Sequence, residues 1–175
     1  MAVRDILKMG NPLLQQASEP VTEFATQELS DLIVDLKDTM EAANGAGIAA
    51  PQIGVLKQVV MFGVQSNPRY PDAEPVPFTI LINPSITILS NVRSAYWEGC
   101  LSVPGMRGLV ERPNHINYSG FNQFGDVVDR EATGFHATVV QHECDHLNGV
   151  LYPMRIRDMS YFGFSEEIDK LLDDH

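Results

Sequence analysis

The segment His142-Glu143-Cys144-Asp145-His146 carries the strongest chemical signal in the sequence. On an α-helix, residues four apart differ by about 40° in direction and about 6 Å in rise, so both imidazoles face one side. That placement lets two ring nitrogens reach one metal ion at roughly 2.0–2.1 Å. Glu143 stands next to the first histidine, where it can take a proton from a water polarised by such an ion. The bland alternative is a half-buried helix that happens to carry two polar rings and a solvated glutamate. Val139, Val140 and Leu147 weigh against it, because they mark the helix as mostly buried. Two histidines and a carboxylate clustered in a core need a chemical reason. Cys144 points about 180° from the middle of the histidine stripe and reads as core. Asp145 fits a supporting contact or a surface charge equally well.

A catalytic ion of this kind takes three protein ligands and keeps a fourth position open. His136 lies six residues before His142, about 120° off the stripe, and is a poor third ligand. His115, in a strand-like stretch, is one candidate. Cys100, in Trp97-Glu98-Gly99-Cys100-Leu101-Ser102, is the other, with Gly99 giving its sulfur room. A lone cysteine is more often a small buried hydrophobe. Spacing does not choose between them.

These residues need a scaffold. Leu29, Leu32, Ile33, Leu36, Met40 and Ala43 share a helical stripe, predicting a core helix over 27–43 with Thr26 as N-cap and Asn44-Gly45 as the stop. Gly45 to Gly54 is small and glycine-rich, as a backbone must be where something approaches closely. Residues 58–62 and 79–82 read as buried strands. The proline-rich stretch Ser66–Pro77 between them reads as a long surface loop, an insertion or a functional segment. Residues 109–112, 115–120 and 127–130 suggest a meander with Phe124-Gly125-Asp126 at a hairpin turn. A second helix is expected over about 134–148, and a short, frayed one over 166–172. Strands and helices in separate runs predict an α+β fold: mixed or antiparallel sheets packed around a central metal-binding helix. The length, 175 residues, suits one catalytic domain spanning residues 1–175.

The formal charge of −11 argues against binding free nucleic acid, which needs lysine and arginine on the phosphates. No apolar run approaches the roughly 18 residues of a membrane span, and no signal peptide is visible. Two cysteines are too few for a disulfide scaffold, so a cytoplasmic protein with reduced thiols is expected.

Three segments together resemble the peptide deformylases, enzymes that remove the formyl group from the N-terminal methionine of newly made proteins. The family's Gly-x-Gly-x-Ala-Ala-x-Gln pattern is matched by Gly45 to Gln52, its Glu-Gly-Cys-Leu-Ser by Glu98 to Ser102, and its Gln-His-Glu-x-Asp-His by Gln141 to His146. The resemblance covers Arg4 to about Arg155 and is closest to the bacterial type I class. It implies that Cys100, not His115, joins His142 and His146 on the metal. It further implies one divalent ion, usually Fe2+, with Zn2+, Ni2+ or Co2+ as substitutes. Glu143 would then be the acid–base, with the Gln52 amide and the Leu101 backbone N–H stabilising the oxyanion. Gly45 and Gly47 would let the substrate backbone lie close. Phe135 and Val139 would line the methionine pocket, with Ala46 and Tyr96 at its mouth, and a Glu98–Arg112 pair would support the Cys100 loop. Three features depart from the family: the Ser66–Pro77 loop is longer than in many relatives and would cover or shape the cleft, and two others stand at Ala46 and at the C-terminal end. Ala46 replaces a larger aliphatic residue, and the acidic Glu166–His175 end would be repelled by ribosomal RNA, so ribosome contact should be transient and weak. The implied partner is the formyl-Met terminus of a nascent peptide. Two other classes compete, a metallopeptidase of the His-Glu-x-x-His kind and a metal-dependent binding module without activity.

Overall fold

The computed structural model describes residues 2–66 and 71–173. In chain order the elements are α1 (Gln27–Ala42), β1 (Gly47–Ala49), β2 (Val59–Val64), β3 (Val76–Ile88), β4 (Arg93–Cys100), β5 (Val103–Pro113), β6 (His115–Phe121), β7 (Val127–Thr133), α2 (Gly134–His146), β8 (Phe162–Phe164) and α3 (Ser165–Asp173). They make an α+β fold with a five-stranded sheet, order β1-β2-β3-β6-β7, and a three-stranded sheet, order β4-β5-β8. Every pairing within the two sheets is antiparallel.

The continuous apolar run Val59-Val60-Met61-Phe62 is fully buried because both faces of the large sheet are covered. Alternate side chains of a strand point to opposite faces. Val59 and Met61 meet Leu29, Ile33, Leu36 and Met40 of α1. Val60 and Phe62 meet Ala137, Val140 and Cys144 of α2. Thr26 caps α1, accepting from the Leu29 N–H, and Asn44 takes a left-handed φ of 54° where the helix stops. Helix α2 touches strands of both sheets. It therefore buries one side on the large sheet and turns His142 and His146 toward Glu98 and Cys100 of the small one, with Glu143 against Gly47 at the edge of β1.

Two expectations need correction. Residues 109–112 do not continue into a meander with 115–120, because β5 pairs with β4 and β8 in the other sheet. Asn114, the residue between β5 and β6, is the pivot. Its side-chain oxygen accepts from Ser94 Oγ at 2.9 Å and from the Gly134 N–H at 3.1 Å, which fixes the change of sheet. The glycine-rich segment forms the edge strand β1 and a 3₁₀ turn over Ala50–Ile53. The proline-rich stretch is shorter than expected, since β3 already begins at Val76; residues 67–70 lie outside the described residues. The hairpin turn at Phe124-Gly125-Asp126 joins β6 to β7, with Gly125 at φ 86°.

Candidate metal centre and active-site cleft

One turn of α2 brings the two histidines onto the same side, their ring centroids 5.4 Å apart. Cys100 reaches them from the end of β4, where its pairing with Val103 closes a tight hairpin around Leu101 and Ser102. The ligand atoms of Cys100, His142 and His146 all lie within 4.8 Å of one another, and among the described residues no other such cluster occurs. Cys100 Sγ stands 3.5 Å from His146 Nε2. Tetrahedral ligands at about 2.3 Å for sulfur and about 2.05 Å for nitrogen sit roughly 3.5 Å apart, so the spacing fits a divalent ion. His115 is far from this arrangement in role, pairing with Glu131 on the half-exposed hairpin.

The environment sets the ligands' states. Burial pushes the His146 pKa down to about 3, leaving the neutral ring that a metal requires. His142 donates from Nδ1 to Glu98 Oε1 at 2.8 Å, which leaves Nε2 for the ion. Glu98 stays below the usual carboxylate range: burial opposes ionisation, but hydrogen bonds from His142 and Arg112 outweigh it. Arg112 grips Glu98 through Nε at 2.7 Å and Nη2 at 3.0 Å, the two-point geometry that suits a carboxylate. Its third donor, Nη1, goes to Asp145 at 2.9 Å, so Asp145 is a supporting contact.

Glu143 is buried at the floor of the cleft. Burial raises its pKa to about 7; the charge of Glu98 adds to this, against His142 and Arg112. A carboxyl poised near neutrality is suited to receive and return a proton. Gln52 is buried opposite. Its Oε1 accepts from the Ala49 N–H at 2.9 Å, while Nε2 donates to Ser102 Oγ at 3.0 Å and, more weakly, to Cys100 Sγ at 3.6 Å. The N-terminal segment ties both loops down, Leu7 N–H to Gln52 O at 2.7 Å and Met9 N–H to Ser102 O at 2.8 Å.

The cleft in front of these groups has a volume of about 500 Å³. Gly45, Ala46, Gly47, Gln52, Glu98, Cys100, Leu101, Phe135, Val139, His142 and Glu143 all line it. Tyr96 is not among the lining residues; its ring packs edge-on against Phe135, with ring centroids 5.7 Å apart. The described part of the Ser66–Pro77 stretch does not reach the cleft either. Sequence reasoning missed Ser102, which holds Gln52, and Tyr152, whose ring stacks on His142 at 6.0 Å and 24°. It also missed Trp97, Met106 and Arg107 on the outer cleft wall. Ser102 sits inside the Glu98–Ser102 motif and was visible there; Tyr152 lies beyond the helix and left no periodic signal.

Fold and site together define a metal-dependent hydrolase. Residues 3–161 match the family described as Polypeptide deformylase. The chain is 58% identical to Peptide deformylase 1 of Nitrosomonas europaea over 166 residues, 95% of this chain and 94% of that protein. It is also 58% identical to Peptide deformylase 2 of Ralstonia nicotianae, covering 94% of this chain and 93% of that one. Among solved structures, a Met-Ala-Ser-bound class I type b peptide deformylase from Acinetobacter baumannii superposes with a TM-score of 0.84 at 39% identity, over 89% of this chain and 99% of that chain. This chain belongs to the polypeptide deformylase family, and its activity is the removal of N-formyl groups from nascent peptides. Among the described residues, no helix is long and apolar enough to cross a membrane.

Proposed function

We propose that Cys100, His142 and His146 hold a single Fe2+ ion, with Zn2+, Ni2+ or Co2+ as substitutes, in one catalytic domain working in the cytoplasm. The observation that carries this reading is the convergence of one sulfur and two ring nitrogens within 4.8 Å beside a buried glutamate. Thiolate and imidazole suit iron as well as zinc. When bound, the ion supplies Lewis-acid polarisation of the formyl carbonyl and makes a nearby water more acidic.

The chain's own residues do the rest. Strand β1 lies at the edge of its sheet, so the substrate backbone lies close to Gly45 and Gly47 and hydrogen-bonds to Gly47 and Leu101 as an added strand. The bare glycine at 47 matters, because a Cβ there would lie 2.3 Å from Glu143 Oε2. Phe135 and Val139 receive the methionine side chain, with Ala46 leaving that wall open. Glu143 takes a proton from the attacking water and returns it to the departing amine. As the formyl carbon becomes tetrahedral, its oxygen gains charge; the Gln52 amide and the Leu101 N–H stabilise it. Gln52 is preorganised for this, fixed at one end by Ala49 and at the other by Ser102. Glu98 and Arg112 orient His142. The acidic α3 keeps ribosome contact transient and weak.

Protein loaded anaerobically with Fe2+ or Ni2+ is expected to release formate from formyl-Met-Ala-Ser. Cys100→Ala should abolish both metal binding and turnover while His115→Ala leaves both intact; the reverse pattern would overturn the ligand set.

A further inference from the structure

The line of charges behind His142 does not stop at Arg112. Asp145 Oδ2 accepts from Arg112 Nη1 at 2.9 Å and also from Arg155 Nε at 3.1 Å. Asp145 Oδ1 accepts from Arg155 Nη2 at 3.0 Å. Arg155 ends the 3₁₀ turn Tyr152–Arg155, whose first residue is the tyrosine stacked on His142. One short turn thus grips the same histidine twice, by a ring face and by a relay of alternating sign: Arg155, Asp145, Arg112, Glu98, then His142 Nδ1.

We propose that Arg155 is a positioning residue for the metal centre, holding through Asp145 and Arg112 the Glu98 carboxylate that orients His142. Two carboxylates share the Arg112 guanidinium, and the Arg112 and Glu98 side chains are each only 5% exposed. Asp145 competes with Glu98 for that one cation. Arg155 supplies Asp145 with a cation of its own, two hydrogen bonds at near-ideal length, and so removes much of its pull on Arg112. Without Arg155, the buried pair leans toward Asp145, the two-point grip on Glu98 slackens, and the Nδ1–H of His142 loses its fixed acceptor. Groups that fix a ligating histidine set metal affinity. An exposed ion pair by itself contributes little, so the effect of Arg155 lies in the direction in which it biases Arg112.

The inference rests on the metal-site reading above, and Co2+ binding separates the two. Dissociation constants come from competition with a chromophoric chelator, alongside the visible spectrum of the bound Co2+. Arg155→Met is expected to weaken Co2+ roughly threefold to tenfold and to shift the cobalt bands, less than the 10–100-fold typical of removing a direct partner of a ligand. Asp145→Asn takes away the competing carboxylate, so adding Arg155→Met to that background should cost nothing. Arg157→Met is the matched control. It deletes an exposed pair with Glu111, 3.2 Å long, two residues further on, and should leave the dissociation constant at the wild-type value. Arg155→Met within twofold of wild type overturns the proposal, as does an undiminished loss in the Asp145→Asn background. Failure of the wild-type protein itself to bind Co2+ would instead overturn the metal-site reading and the role of Arg155 with it.

Discussion

Replacing Gly47 with alanine tests how tightly the acid–base group is placed. The added Cβ would lie 2.3 Å from Glu143 Oε2, 2.8 Å from Cδ and 3.0 Å from Cγ. Ordinary contact begins near 3.4 Å, so the carboxylate must retreat by about 1.1 Å. Alanine itself suits the extended backbone of β1, and Gly47 is not among the residues with positive φ, so the fold should survive. The three atoms nearest the methyl all belong to Glu143 and none to a metal ligand, so metal binding should survive as well. A misplacement of about 1 Å at a reacting group can cost about 100-fold in rate, near 2.7 kcal/mol of barrier. Gly45→Ala provides the contrast: its Cβ meets the Leu101 Cδ1 at 2.7 Å, the far end of a flexible side chain that can turn away. The assay is formate release from formyl-Met-Ala-Ser by Ni2+-loaded protein, with metal content and melting temperature measured on the same samples. Gly47→Ala should lose about 100-fold in kcat/KM at full metal content, and Gly45→Ala clearly less. A Gly47→Ala enzyme within threefold of wild type, or one less impaired than Gly45→Ala, would refute the reasoning.

Arg112→Met leaves the buried Glu98 without its two-point partner and should destabilise the protein by about 3–5 kcal/mol. Urea unfolding with an m-value of about 2 kcal/mol/M would then show a midpoint lower by about 2 M; a shift under 0.5 M would contradict it. Burial raises the Glu143 pKa to about 7, above its unfolded value of 4.5, so the native state holds that proton more tightly. Its contribution is therefore full below pH 4.5 and is lost as pH rises through 7. Metal-free Glu143→Gln should accordingly be more stable than metal-free wild type at pH 8 by a few kcal/mol, and the advantage should shrink toward pH 5; equal stability at pH 8 would count against it. Burial also pushes the Cys144 thiol well above its ordinary range, whereas Cys100 lines the cleft. Native metal-free protein should expose one thiol to an aromatic disulfide reagent, Zn2+-loaded protein none, and denatured protein both of its two cysteines. Equal reactivity of Cys100 and Cys144 in the native protein would be the contrary result.

Much of this was readable before any coordinates. The His142–His146 spacing forces two imidazoles onto one helical face whatever surrounds them, because the angle per residue is a property of the backbone. The stripe from Leu29 to Met40 and the cap at Thr26 fixed α1 for the same reason, and Cys144 was legible as core from its angle alone. Long-range pairing was not legible. Residues 109–112 and 115–120 both alternate as strands do, and nothing local says that Asn114 sends them to different sheets. The resemblance implies Tyr96 at the mouth of the pocket, whereas in the fold its ring packs edge-on against Phe135.

By itself, then, the sequence determined what its local periodicity dictates: two ligands, an adjacent glutamate, a core helix and, through its three motifs, the family. Tertiary structure decided what depends on residues far apart in the chain. Periodicity left the third ligand open; folding brings Cys100 to His146 across 46 positions and sends His115 to Glu131. It also joins Arg155, Asp145, Arg112 and Glu98 into the support for His142. Helical angle is set by neighbouring peptide units, whereas such contacts are set by how two sheets close around α2, and no local rule encodes that closure.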